Sequence, residues 1–287
     1  MATEPPTYLL SNGVRIPCIG YGTAPAPEDR LSDASGPVLA ALEAGYRHID
    51  TAQMYENESG VGRAVAESGI PRSGLFLTSK LHNQNHGYES TMRSFERSLR
   101  ALKTDYLDLF LIHWPNPVAF REDWRRANSE CWRAMEALYR QRAVRAIGVS
   151  NFRPHHFEAL LETADVQPMV NQIRLFPGDS SIHAPTLDWC ARRGILLEAY
   201  SPLGLGGALS QPLVVQLAEA YGRTPAQICL RWSVQMGYLP LPKTVKPARM
   251  RENLDIWEFS IGQEDMSRLS AMPPSMADDR DPDQAWW

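Results

Sequence analysis

The chain has 287 residues, 22% of them charged, and a formal net charge of -4, a balance that gives no electrostatic footprint for nucleic acid or an anionic membrane surface. No apolar run reaches the ~20 residues a membrane-crossing helix needs. The length suits one large core; a β/α barrel uses roughly 250 residues as a single domain, and no Pro/Gly-rich linker divides this chain, so 1–287 reads as one domain.

In chain order, the opening MATEPPTYLLSNG has no basic stretch followed by an apolar one, so no secretion signal is read and a cytoplasmic location is expected. Within it, YLLSNGVRIP carries Asn12-Gly13 between short apolar runs, which predicts a β-hairpin. Strand-like and helical patterns then alternate. Strands are predicted at 18–22, 46–50, 75–80, 106–113, 144–150, 168–172, 195–200 and 238–241, and helices at roughly 33–44, 58–68, 89–101, 123–141, 155–163, 184–193 and 225–236. Eight strands interleaved with helices is the α/β pattern that closes a parallel sheet into a (β/α)8 TIM barrel, here with the hairpin capping the amino-terminal end of the strands. Cys18, Cys131, Cys190 and Cys229 are scattered without a CxxC pair and read as reduced thiols.

Four polar residues sit near the ends of three of these strands: Asp50 and Tyr55 in GYRHIDTAQMYENE, Lys80 in LFLTSK, and His113 in LDLFLIHW. In a barrel the carboxyl ends of all strands meet at one face. A free phenol, with a pKa near ~10, gives up its proton reluctantly at neutral pH. A neighbouring ammonium held by a carboxylate eases that release, and an imidazole can hydrogen-bond and place a carbonyl oxygen. The group is suited to acid catalysis, with electrons supplied by something else. Taken singly, Lys80 reads as a surface residue at a strand end and His113 as a satisfied polar group; their repeated placement favours a site.

Gly20-Tyr21-Gly22 begins a G-x-G after a strand, but Pro25 stands where a dinucleotide fingerprint needs Gly or Ala, and Pro27 follows. GLGG at 204–207 lacks the rest of that fingerprint and reads as a flexible loop after strand seven.

The stretches GYRHIDTAQMYENE, LTSKLHNQNHGY, LDLFLIHWP, IGVSNF, VNQ, AYSPLG and LPKTVKPARMRENL stand in the order and rough spacing of the aldo-keto reductases, which the chain resembles over nearly its whole length. Within that family it is most similar to bacterial diketogluconate-reductase-like members. The resemblance implies that Asp50, Tyr55, Lys80 and His113 are catalytic, with Tyr55 as proton donor, and that a nicotinamide cofactor lies across the top of the barrel. It implies Ser150, Asn151 and Gln172 at the carboxamide, Tyr200 stacked on the nicotinamide, Ser201 to Gly204 (Leu203 among them) along the pyrophosphate, and Thr23 near the ribose. It places Lys243, Thr244 and Arg249 at the adenosine 2′-phosphate, Val245 within the same segment, and Glu252 and Asn253 at the adenine. A phosphate dianion needs cations and hydroxyl donors, so the expected cofactor is NADPH rather than NADH. Read without the resemblance, the basic stretch is a solvated face and Tyr200 is core.

The likeness has gaps. Ala24 and His82 replace two tryptophans that often wall the substrate pocket, while Trp114 remains beside His113. Arg174-Leu175-Phe176-Pro177 replaces the usual Glu-Tyr-His-Pro; Arg174 reads as a surface ion pair, with attraction of an anionic substrate as the alternative. His82 and His86 have a ligand-like spacing in a loop-like context, and no metal is expected. Family tails often fold over the active site, so Trp286 and Trp287 could close on substrate; a mobile terminus is the competing reading. The expected function is NADPH-dependent reduction of an aldehyde or ketone. The alternatives are an NADP-binding regulatory or scaffold protein, and an enzyme acting mainly as an alcohol dehydrogenase. The expected partner is a small-molecule carbonyl compound, with a monomer compatible and neither nucleic acid nor membrane implied.

Overall fold

The computed structural model describes residues 6–25, 33–274 and 281–284. The predicted hairpin forms β1 (Thr7–Leu9) and β2 (Arg15–Pro17), antiparallel with Thr7 opposite Pro17 and Leu9 opposite Arg15. Its turn is tied by Leu10 N to Val14 O and Gly13 N to Leu10 O, with Gly13 at φ 84°, where glycine is at ease. Tyr8 Oη donates toward the carbonyls of Val234 and Tyr238, each at 3.2 Å, and this fixes the hairpin to the far end of the chain.

Eight parallel strands follow in one sheet, each hydrogen-bonded to the next in sequence: β3 (Tyr21–Gly22), β4 (His48–Asp50), β5 (Phe76–Leu81), β6 (Leu107–Ile112), β7 (Val144–Ser150), β8 (Val170–Arg174), β9 (Leu196–Tyr200) and β10 (Leu239–Leu241). Between and after them lie α1 (Ser35–Ala44), α2 (Glu58–Glu67), α3 (Tyr88–Leu102), α4 (Trp124–Arg140), α5 (Pro154–Leu161), α6 (Ser180–Arg193), α7 (Pro212–Tyr221), α8 (Pro225–Gln235), α9 (Pro247–Leu254) and α10 (Gln263–Ser270). The strands are buried on both faces, which explains their near-continuous apolar runs. Asp108 is the exception within β6. It lies out of water, yet it accepts from Arg145, pairs with Arg72 and receives the backbone N–H of Leu77, so its charge is fully answered.

The barrel closes where Gly20 N donates to Pro240 O and Gly22 N to Pro242 O, each at 3.1 Å. A β-carbon at position 20 would stand 2.6 Å from Leu241 Cδ2 and 2.7 Å from His48 Nδ1. The G-x-G of this strand therefore serves close strand approach. Gly148, in β7, has the same role at the joint with β8: a β-carbon there would lie 2.6 Å from the Val170 carbonyl oxygen. Gly148→Ala is expected to lower unfolding free energy by about 1–3 kcal/mol, measured by urea denaturation.

Several boundaries differ from the sequence reading. β8 runs two residues further than expected, to Arg174. α6 begins four residues early and contains Pro185, whose missing N–H removes one helical bond without ending the helix. The segment after β9 forms 3-10 turns over Gly204–Ser210, with Leu205 and Gly206 at positive φ, and then α7, which was not expected. α10 was not expected either. All four cysteines are unpaired and buried. No helix among the described residues is long and apolar enough to cross a membrane.

Candidate active site

The four strand-end residues converge at the carboxyl end of the barrel. Asp50 ends β4, and the chain then makes a 3-10 turn, Gln53–Tyr55, that lifts the Tyr55 ring over the strands. Gln53 anchors that turn: its Oε1 accepts from His82 N at 2.9 Å and its Nε2 donates to Ser98 Oγ at 2.9 Å. Lys80 comes up from β5 wholly out of water. Its Nζ donates to Asp50 Oδ1 at 2.6 Å and the Thr51 carbonyl at 3.0 Å, and reaches Tyr55 Oη at 3.3 Å. Burial alone would lower the affinity of this amine for its proton. The Asp50 carboxylate, helped by Tyr55, more than offsets that, so the Lys80 pKa is raised and the ammonium persists.

His113, one residue past β6, sets its ring edge-on to Tyr55, centroids 5.7 Å apart. Burial, then the Lys80 charge and His82, hold it well below the usual histidine range, so it is a neutral imidazole. Trp114 beside it is buried, its ring 6.5 Å from that of His113. A phenol, an ammonium and a neutral imidazole thus face one spot, an arrangement able to bind and protonate an oxygen atom.

The expected cofactor residues lie on the same rim. Asn151 follows β7 in the left-handed region, φ 63°, and ties three strand ends together: Nδ2 donates to the His113 carbonyl at 3.0 Å, and Oδ1 accepts from Tyr200 Oη at 2.9 Å. Ser150 Oγ donates to Gln172 O at 2.8 Å and receives Asn151 Nδ2 at 3.0 Å. The Gln172 amide nitrogen points into the barrel, donating to Asp50 Oδ2 at 2.9 Å and Glu198 Oε2 at 2.7 Å. Thr23 is buried after β3 with its hydroxyl oxygen unpaired. Ser201 and Gly204 have positive φ, and a β-carbon on Gly204 would press on the Phe176 ring at 3.1–3.3 Å.

Across the closing joint, Tyr21 Oη donates to the Thr244 carbonyl at 2.8 Å and so holds the segment Lys243–Lys246 against β3. Val245, Lys246 and Arg249 are exposed, and neither Lys246 nor Arg249 pairs with a carboxylate among the described residues. Glu252 accepts from Thr224 Oγ1 at 2.8 Å, and Asn253 is buried.

Arg174 forms an ion pair as expected, but a buried one, which corrects the surface reading. Its Nε meets Asp179 Oδ2 at 3.1 Å, with both side chains at most 2% exposed. The early start of α6 brings Asp179 back over the end of β8 and seals the pair. His82 caps the 3-10 turn Asn83–Asn85, accepting from Gln84 N, and His86 is buried and stacked on Phe120 at 5.3 Å.

The tail holds contacts the sequence did not signal. Asp283 receives Asn116 Nδ2 at 3.2 Å and pairs with His155 and His156 at 3.1 and 3.0 Å, and Arg153 pairs with Asp281. The segment 281–284 therefore bridges the loop after β6 and the start of α5, and Pro282 lines a small cavity with Asn151, Arg174 and Tyr200. His156 Nδ1 accepts from Arg153 N, which leaves the proton on Nε2 for Asp283. Trp286 and Trp287 lie outside the described residues. Glu198 was also missed: an acid in the apolar ILLEAY gave no hint that it faces the barrel interior.

The sequence profile of the aldo/keto reductase family matches residues 19–273. The chain is 44% identical over 266 residues to the glyoxal reductase of Bacillus subtilis (strain 168), covering 93% of this chain and 92% of that protein. An aldo/keto reductase from Brucella melitensis superposes with a TM-score of 0.84 at 42% identity, over 93% of this chain and 98% of that one. The Bombyx mori aldo-keto reductase, solved in complex with NADP, superposes with a TM-score of 0.83 at 30% identity, over 96% and 95% of the two chains. The chain therefore belongs to the aldo/keto reductase family.

Proposed function

We propose that the chain acts as one domain that reduces the carbonyl group of an aldehyde or ketone to an alcohol, with Tyr55 as proton donor and NADPH as reductant. The observation that carries the reading is the continuous contact Asp50–Lys80–Tyr55 with neutral His113 at the same spot. When bound, the cofactor supplies a hydride. The residues present suit it. Ser150, Asn151 and Tyr200 form a polar rim beside an aromatic ring, the unpaired Thr23 hydroxyl stands at the edge, and Lys246 and Arg249 offer cations with no carboxylate partner among the described residues.

In this mechanism the substrate oxygen sits between Tyr55 Oη and the His113 ring. His113 donates a hydrogen bond without adding charge. As negative charge builds on the oxygen, Tyr55 gives up its proton, and the Lys80 ammonium stabilises the phenolate that forms. Asp50 keeps Lys80 charged and aimed.

Following the absorbance of NADPH against a panel of aldehydes, ketones, keto acids and sugars tests the activity; no consumption with any carbonyl class refutes it. The cofactor preference has its own check. Arg249→Ala is expected to weaken NADPH binding by about ten- to a hundredfold, the range for a hydrogen bond to a charged group, and to leave NADH nearly unaffected. Fluorescence titration measures both, and equal losses for the two cofactors remove Arg249 from the 2′-phosphate.

A further inference from the structure

Beneath the Lys80–Asp50 pair lies a second buried carboxyl group, Glu198 of β9, wholly out of water. The –NH2 of Gln172 bridges the two acids, donating to Asp50 Oδ2 at 2.9 Å and to Glu198 Oε2 at 2.7 Å. Glu198 Oε1 has no hydrogen-bond partner. A carboxylate with a bare oxygen in a sealed interior is expensive, and a neutral acid much less so.

The surrounding charges point the same way. Lys80 is the cation facing this pair. His48 lies on the barrel side of β4 beside Lys80, but burial first, and then the Lys80 charge, lower it to about 3, so it is neutral. His113 is neutral as well. β10, paired with Glu198 through Leu239, brings only Leu239, Pro240 and Leu241. Further up β8, Arg174 is engaged with Asp179; further up β9, Tyr200 donates to Asn151. Two ionised carboxylates against one ammonium would leave a net negative charge inside the barrel. Burial first, and then Asp50, push Glu198 up to about 8, outweighing the opposing pull of Gln172 and Lys80.

We propose that Glu198 is a positioning residue for the Tyr55 reaction: as a neutral acid it holds Gln172 against Asp50 and leaves the field of Lys80 to the Tyr55 oxygen. The role rests on the assignment of Tyr55 as proton donor. When Glu198 ionises, a second carboxylate draws on the same ammonium. The charge developing on Tyr55 is then less stabilised, and reduction slows by on the order of tenfold.

The test compares carbonyl reduction by the wild type and Glu198→Gln from about pH 6 to about pH 10. The wild-type rate is expected to fall near pH 8, and the variant to stay level through that window. Glu198→Asp keeps an ionisable group, so it retains a fall at a displaced pH; it serves if Glu198→Gln does not fold. A readout independent of turnover is the infrared difference between wild type and Glu198→Gln. At neutral pH it is expected to show a carboxylic-acid C=O band that shifts in D2O and fades above pH 8. Superimposable pH profiles, or carboxylate bands alone at neutral pH, overturn the role of Glu198 while an inactive Tyr55→Phe still stands. Normal turnover by Tyr55→Phe overturns the donor assignment, and this role with it.

Discussion

Replacing Tyr55 with Phe is expected to lower turnover by about 10²–10⁴-fold while cofactor affinity stays close to that of the wild type. The ring would still meet the edge of His113, so the pocket wall survives and only the oxygen is lost. That oxygen is the point where the buried ammonium touches the site, at 3.3 Å from Lys80 Nζ. Without it, the alkoxide must take its proton from His113 or water, neither backed by a fixed cation. Single-turnover kinetics with NADPH already bound isolates the chemical step. A loss confined to KM would mean that Tyr55 binds substrate without protonating it.

Lys80→Met carries the second large effect, on stability as well as rate. The substitution fills much of the same space but leaves the buried Asp50 carboxylate without its cation, with Glu198 nearby. Breaking one half of a buried ion pair costs about 3–5 kcal/mol. Turnover is expected to fall at least as far as in Tyr55→Phe, because the phenolate loses its stabilising charge. The double variant Lys80→Met/Asp50→Asn separates the two roles: it should regain most of the lost stability, since no bare carboxylate remains at position 50, and none of the lost turnover. Urea denaturation and steady-state kinetics on Lys80→Met, Asp50→Asn and the double variant complete the cycle. A double variant as unstable as Lys80→Met would show that packing around the lysine stem, rather than its charge, was lost.

The strands and the four rim residues could be read from the chain because barrel strands are buried on both faces. They appear as apolar runs, and a polar residue at the end of such a run stands out. The same property hid Glu198. One acid two residues before the end of ILLEAY looks like an alternating solvent face until neighbouring strands show that no face meets solvent. Arg174 was misread for a related reason: its partner Asp179 sits at the start of α6, before the helix expected from residue 184. α7 has apolar residues at Leu213, Val214, Leu217 and Ala218, a helical spacing masked by the glycines before it and Pro212. The contacts of Asp283 with Asn116, His155 and His156 join segments over a hundred positions apart, and no local pattern encodes them.

The closing joint of the barrel has a consequence for the order in which the molecule assembles. Gly20 and Gly22 bond to Pro240 and Pro242, and Tyr8 reaches carbonyls 226 and 230 positions along the chain. The first strand, already paired with β4, thus finds its second neighbour, and the hairpin its anchor, only after the chain as far as β10 has been synthesised. Contacts of such sequence separation form slowly, because a long loop must be closed before they return any free energy. Until β10 emerges, the growing sheet has two open edges, the exposure that invites association with other chains. The joint that completes the cylinder can therefore form only after the seven strands before β10, and in that interval both edges of the sheet stand open to other chains.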